Sequence, residues 1–167
     1  MRRRRFLLAA IAPLIPRIAR AQGARRFEAG GMTFEWRHAS DRIFVRLAAP
    51  TRGWFAVGFN DQSGLDGARF VIASVSDDGV ARAEERIARP PVHSPVEALG
   101  GAPGLAETSG RLTPGGAAVS FSLPIDAGDA FAADLRPGAT THLMLAWSHE
   151  PDFTHHSAWR RHFTRRL

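Results

Sequence analysis

Met32-Thr33-Phe34-Glu35-Trp36-Arg37 alternates apolar and polar side chains with a period of two, and Asp41-Arg42-Ile43-Phe44-Val45-Arg46-Leu47 resumes the alternation after a short polar turn. Successive side chains of a strand point to opposite faces, so this spacing predicts a half-buried β-hairpin. Gly53-Trp54-Phe55-Ala56-Val57-Gly58-Phe59 and Phe70-Val71-Ile72-Ala73-Ser74-Val75 are apolar on both parities and are expected as central strands. The polar, glycine-containing residues 60–67 between them form a loop. Asp77-Asp78-Gly79 signals a hairpin turn into a charged edge strand over residues 80–87. Further strands are expected at 118–123, where Val119, Phe121 and Leu123 share one face, at 142–147 and at 159–167. Residues 88–116 carry five Pro and six Gly and are expected as a long irregular connection. No helix is expected beyond a turn or two within residues 128–135.

Eight or more short strands separated by turn signals predict an all-β antiparallel sandwich, and 167 residues suffice for one packed core. The charge is unevenly placed. All 22 cations are Arg, Cys and Tyr are absent, and six of the Arg fall in the first 21 residues, which hold no acid. The remaining 16 Arg balance all 16 acids. The basic pI of about 11.5 therefore belongs to the leader and does not indicate a nucleic-acid partner.

Residues 1–21 read as an export signal. Arg2 to Arg5 form the basic segment, an apolar stretch of about eleven residues follows, and Ala19-Arg20-Ala21 supplies small residues for cleavage near Ala21. That stretch is too short for a stable membrane anchor. Arg3-Arg4-Arg5-Phe6-Leu7 matches the twin-arginine pattern, with an Arg-rich general secretory signal as the alternative. The expected organisation is a signal peptide over 1–21, a short lead over 22–30 and one domain over 31–167, located in the periplasm.

The order Gly53-Trp54-Phe55-Ala56-Val57-Gly58-Phe59-Asn60, Gly64-Leu65-Asp66-Gly67-Ala68-Arg69-Phe70-Val71-Ile72, Leu145-Ala146-Trp147 and His155-His156-Ser157 resembles the DOMON family over about residues 31–167. The resemblance implies an immunoglobulin-like β-sandwich of about eight to eleven strands that holds haem b or a sugar-like ligand between the ends of its sheets. In haem-binding members a Met after the loop glycine and a His near the last strand grip the iron. The matching positions are Leu65 and His156, with His155 beside it. Leucine has no lone pair, so the Met/His pair is not built in that form, and the second iron position is open, filled by water, or taken by another residue. His93 and His149 are the loop candidates for it. Met144 reads as packing, since it sits between Leu143 and Leu145 on a strand.

His149, Glu150, Asp152, His155 and His156 have the residue types of a copper or zinc site, but Pro151 prevents the helical spacing of a zinc hydrolase. Strand parity puts Trp159, Arg161, Phe163, Arg165 and Leu167 on one face of the last strand. Arg161 is the candidate partner for a haem propionate or other anion, against a solvated surface Arg as the alternative. Trp54, Phe121 and Trp147 are expected in the core. Ser157 beside His156 makes no triad, and Gly64-Leu65-Asp66-Gly67 precedes a strand rather than a phosphate-binding helix.

These readings lead to a periplasmic, DOMON-type haem b module for electron transfer or for redox or gas sensing, with a periplasmic redox partner and no turnover of its own. Its rival is a haem-free module binding a sugar, another small molecule or a protein. A periplasmic metal-binding protein using residues 149–156 ranks third.

Overall fold

The computed structural model describes residues 23–167. The expected signal peptide and its cleavage position lie outside the described residues. Eleven strands run in chain order: β1 Arg25–Ala29, β2 Met32–Ala39, β3 Arg42–Ala49, β4 Phe55–Asn60, β5 Arg69–Val75, β6 Ala81–Arg89, β7 Val92–Pro95, β8 Ala106–Thr113, β9 Gly116–Pro124, β10 Thr140–Trp147 and β11 Trp159–Arg166. They form two antiparallel sheets, ordered β1-β2-β3-β9-β8 and β11-β10-β4-β5-β6-β7. The all-β sandwich expected from the alternation is the observed fold.

The sandwich interior is built by one parity of each central strand. Met32, Phe34 and Trp36 of β2, Ile43, Val45 and Leu47 of β3, and Val119, Phe121 and Leu123 of β9 face Phe55, Val57 and Phe59 of β4, Val71 of β5 and Leu143 and Leu145 of β10. On the outer face of the five-stranded sheet the other parity is polar, with Glu35 bridging Arg26 and Arg46 in solvent. The six-stranded sheet differs. The other parity of β4, β5 and β10 presents Ala56, Ile72 and Met144, all buried. The double-sided apolar pattern of β4 and β5 thus records two buried faces, one against the partner sheet and one beneath loops.

Three expectations are corrected. Residues 88–116 are not one irregular connection, because β6 continues to Arg89, β7 follows, and β8 lies along β9 after a single 3₁₀ turn at Glu97–Leu99. β8 is mostly exposed and carries no apolar alternation to betray it. Its close approach requires Gly110, where a Cβ would stand 2.7 Å from the Ala81 Cβ and 2.9 Å from Val75 Cγ2. β6 is an edge only in its first part, because β7 pairs with it from Arg86 to Arg89. Trp54 and Trp147 do not join Phe121 as fully interior residues. Trp54 is buried on the outer face with Ala56, Ile72 and Phe153, and Trp147 is only partly buried at the end of β10. Within 22–30, β1 pairs with β2 from Arg25↔Trp36 to Ala29↔Met32.

A buried ionic network closes one end of the sandwich. Arg69 Nε donates to Glu85 Oε1 at 2.6 Å, its Nη1 to Asp129 at 3.1 Å, and its Nη2 to the Ala102 carbonyl at 2.7 Å. Glu85 Oε2 accepts the N–H groups of Gly104 and Leu105. These bonds fasten the stretches on either side of β8 and β9 to the six-stranded sheet.

Candidate functional site

The outer face of the six-stranded sheet is the floor of a cavity of about 660 Å³, within the size range of small-molecule and cofactor sites. Its floor is Ala56, Gly58, Phe70, Ile72, Met144 and Ala146. Gly58 is there for room, since a Cβ would lie 3.0 Å from Phe70 Cβ and 3.1 Å from the Met144 methyl. Two loops and a hairpin wall the cavity.

The first loop, between β4 and β5, carries Leu65. Asn60 Nδ2 donates to the carbonyls of Gly64 and Asp66 at 3.2 and 3.0 Å, curling the loop on itself. The Gly67 N–H then reaches the Ala88 carbonyl at 3.0 Å, which ties the loop to β6. Leu65 is left lining the cavity, half-buried and packed with Ala68, Ala88, Met144 and Phe70.

The second loop, between β10 and β11, carries His155 and His156. The Trp54 N–H donates to the Glu150 carbonyl at 2.9 Å, the Ser148 N–H to the Trp54 carbonyl at 2.8 Å, and the Trp54 indole N–H to the His155 carbonyl at 3.1 Å. Gly53 is needed for this approach, because any Cβ would collide with the backbone of Ser148 and His149. Buried Phe153, with Arg82 4.4 Å above its ring, seats the loop on Ile72 and Trp54. Both imidazoles are exposed on the cavity rim.

Leu65, His155 and His156 therefore line one cavity, and Arg161 does not. Leu145 faces Arg161 across the β10–β11 pair, on the parity that points away from the cavity, and the Arg161 guanidinium sits 6.0 Å from the Trp159 ring. The cavity-lining guanidinium is that of the next residue, Arg160, opposite Ala146. Of the loop histidines, His93 lines the cavity from β7, whereas His149 packs edge-on against Trp147 at 5.0 Å. Met144 packs as expected and also faces the cavity, on the parity opposite to Leu143 and Leu145. Among the described residues no three His, Cys, Asp or Glu side chains gather as a metal site. Asp152 instead accepts the N–H and hydroxyl of Thr154, both at 2.9 Å.

Sequence reading missed Arg86, Arg160 and the β6–β7 hairpin with Pro90, Pro91 and Val92. The lining holds two Arg and three His and no carboxylate. Burial, followed by the positive charge of Arg86, holds His93 below the ordinary imidazole value of 6.5, against smaller opposing effects of the Phe153 carbonyl and Glu84.

Among the described residues no helix is long and apolar enough to cross a membrane. No family model matches the sequence, and no curated protein does. Among solved structures, the cytochrome b domain of pyranose dehydrogenase from Coprinopsis cinerea is similar in fold, with a TM-score of 0.60 over 84% of this chain and 80% of that one, at 11% identity. The two chains share the β-sandwich architecture.

Proposed function

We propose that the protein is a periplasmic DOMON-type module that binds haem b for electron transfer or for redox or gas sensing, and has no turnover of its own. One observation carries this reading: Leu65 and His156, the two positions that the resemblance pairs across a haem, line the same apolar cavity. The residues fit the group on one side. An exposed imidazole on a rigidly tied loop can offer one ring nitrogen to iron, while Leu65 offers no donor from its side.

Bound haem would supply one-electron chemistry or a site for a diatomic ligand. His156 would hold the iron, and Trp54, through the His155 carbonyl, would fix the loop that presents it. Met144, Phe70 and Ile72 would keep water from the floor. Leu65 would leave the second side of the iron without its family ligand.

The absent donor at Leu65 favours one rival, a haem-free module that holds a sugar or another small molecule in this cavity. Titration of the purified protein with haem, followed by visible spectroscopy, separates the two. A Soret shift that His156→Ala abolishes supports the cytochrome reading. No shift, or one indifferent to His156→Ala, refutes it and promotes the rival.

A further inference from the structure

Two residues that line the cavity each bury a polar atom without a hydrogen-bond partner among the described residues: Arg86 Nε and His93 Nδ1. Arg86 projects from β6 onto the cavity face, with its side chain 13% exposed. Its Nη1 lies 3.4 Å from Glu84 Oε2, and Glu84 is also paired with Arg82, so one carboxylate serves two guanidinium groups. His93 pairs with Ala88 across the β6–β7 ladder, and its ring stands edge-on to Phe70 at 5.3 Å.

A buried polar group left unpaired is costly, and native structures keep few of them. Arg86 and His93 both line the cavity, no carboxylate shares that lining, and an acidic ligand group that drew the two atoms toward it would satisfy both. We propose that Arg86 and His93 form an acid-recognition site, in which the two side chains turn toward a carboxylate of the cavity's ligand, which accepts from Arg86 Nε–H and meets His93 Nδ1 across a shared proton. The proposal rests on this cavity being the ligand site. For haem it directs the propionates to the β6–β7 wall and away from Arg160, which stands on β11, four strand spacings or about 19 Å across the sheet.

Four probes test it on the mature protein: haemin, protoporphyrin IX, and the dimethyl ester of each. Binding is followed by quenching of Trp fluorescence and, for the iron forms, by the Soret band. The free acids are expected to bind about ten- to a hundredfold tighter than their esters, the range a charge-assisted hydrogen bond supplies. Arg86→Gln and His93→Phe, made separately, should bring that ratio close to one. Unchanged ester affinity in each variant shows that the cavity is intact. Arg160→Gln should leave the ratio as it was.

Equal binding of acids and esters, or a preference lost in Arg160→Gln instead, overturns the acid site. Iron ligation without acid preference leaves the haem reading standing and removes this proposal. Acid preference shared by haemin and protoporphyrin, with no sign of iron ligation, does the reverse. If none of the four binds, both fall.

Discussion

The indole N–H of Trp54 donates to the main-chain carbonyl of His155 at 3.1 Å, joining the residue that leads into β4 to the loop that carries His155 and His156. Trp54→Phe removes that bond and part of the buried ring and should cost about 2 kcal/mol. Faster amide exchange should then be confined to residues 153–157. Trp54→Ala also empties a buried site and should cost about 3–5 kcal/mol in urea unfolding. A Trp54→Ala protein with unchanged stability would contradict the burial of that indole.

The identity of residue 65 should govern the iron's second side. With haem added, the protein is expected to bind carbon monoxide or cyanide readily. Leu65→Met should convert it to a low-spin form that resists those ligands, because a thioether donor then faces the histidine. His149→Ala and Arg161→Gln should leave the spectrum unchanged, since neither side chain lines the cavity.

The Arg69–Glu85–Asp129 network should be stabilising only when complete. Loss of one partner strands a buried charge, so Glu85→Gln or Arg69→Met should cost about 3–5 kcal/mol. Circular dichroism with urea measures this directly.

Asp129 adds a pH dependence. Burial pushes its carboxyl upward, but the N–H groups of Ala102 and Phe131, with Arg69, overcome this and hold it below the ordinary 3.8. A carboxyl with a depressed folded value contributes stability that is full above the unfolded value and lost as pH falls through the folded one. Stability should therefore decline below about pH 5 and on through 3.8, and Asp129→Asn should flatten that part of the profile. Parallel profiles for the two proteins would exclude this role.

Export rests on residues outside the described structure. Mass spectrometry of the periplasmic fraction should find a chain beginning at or near Gln22, and Arg3→Lys with Arg4→Lys should hold precursor in the cytoplasm. Export of that double variant, or of the natural sequence in cells lacking twin-arginine translocation, would assign the protein to the general secretory route.

The sequence by itself determined the strands whose two faces differ. Met32, Phe34 and Trp36, like Val119, Phe121 and Leu123, announce a buried face because alternation is a local property of an extended chain. Strands β7 and β8 have no such face, since they owe their place to hairpin pairing of the backbone with the adjacent strand, which leaves no side-chain period, and β1 shows one only in Phe27 and Ala29. The family pattern marked Leu65 and His156, but only the tertiary structure decided that they share a cavity with His93, Arg86 and Arg160. Parity along β11 separated Arg160 from Arg161 correctly, yet which parity faces the cavity depends on the sheet, not on the strand. The same limit applied to Trp54. Its burial follows from its apolar neighbours, while the side on which it is buried was set by where the loop holding Phe153 and His155 comes to rest.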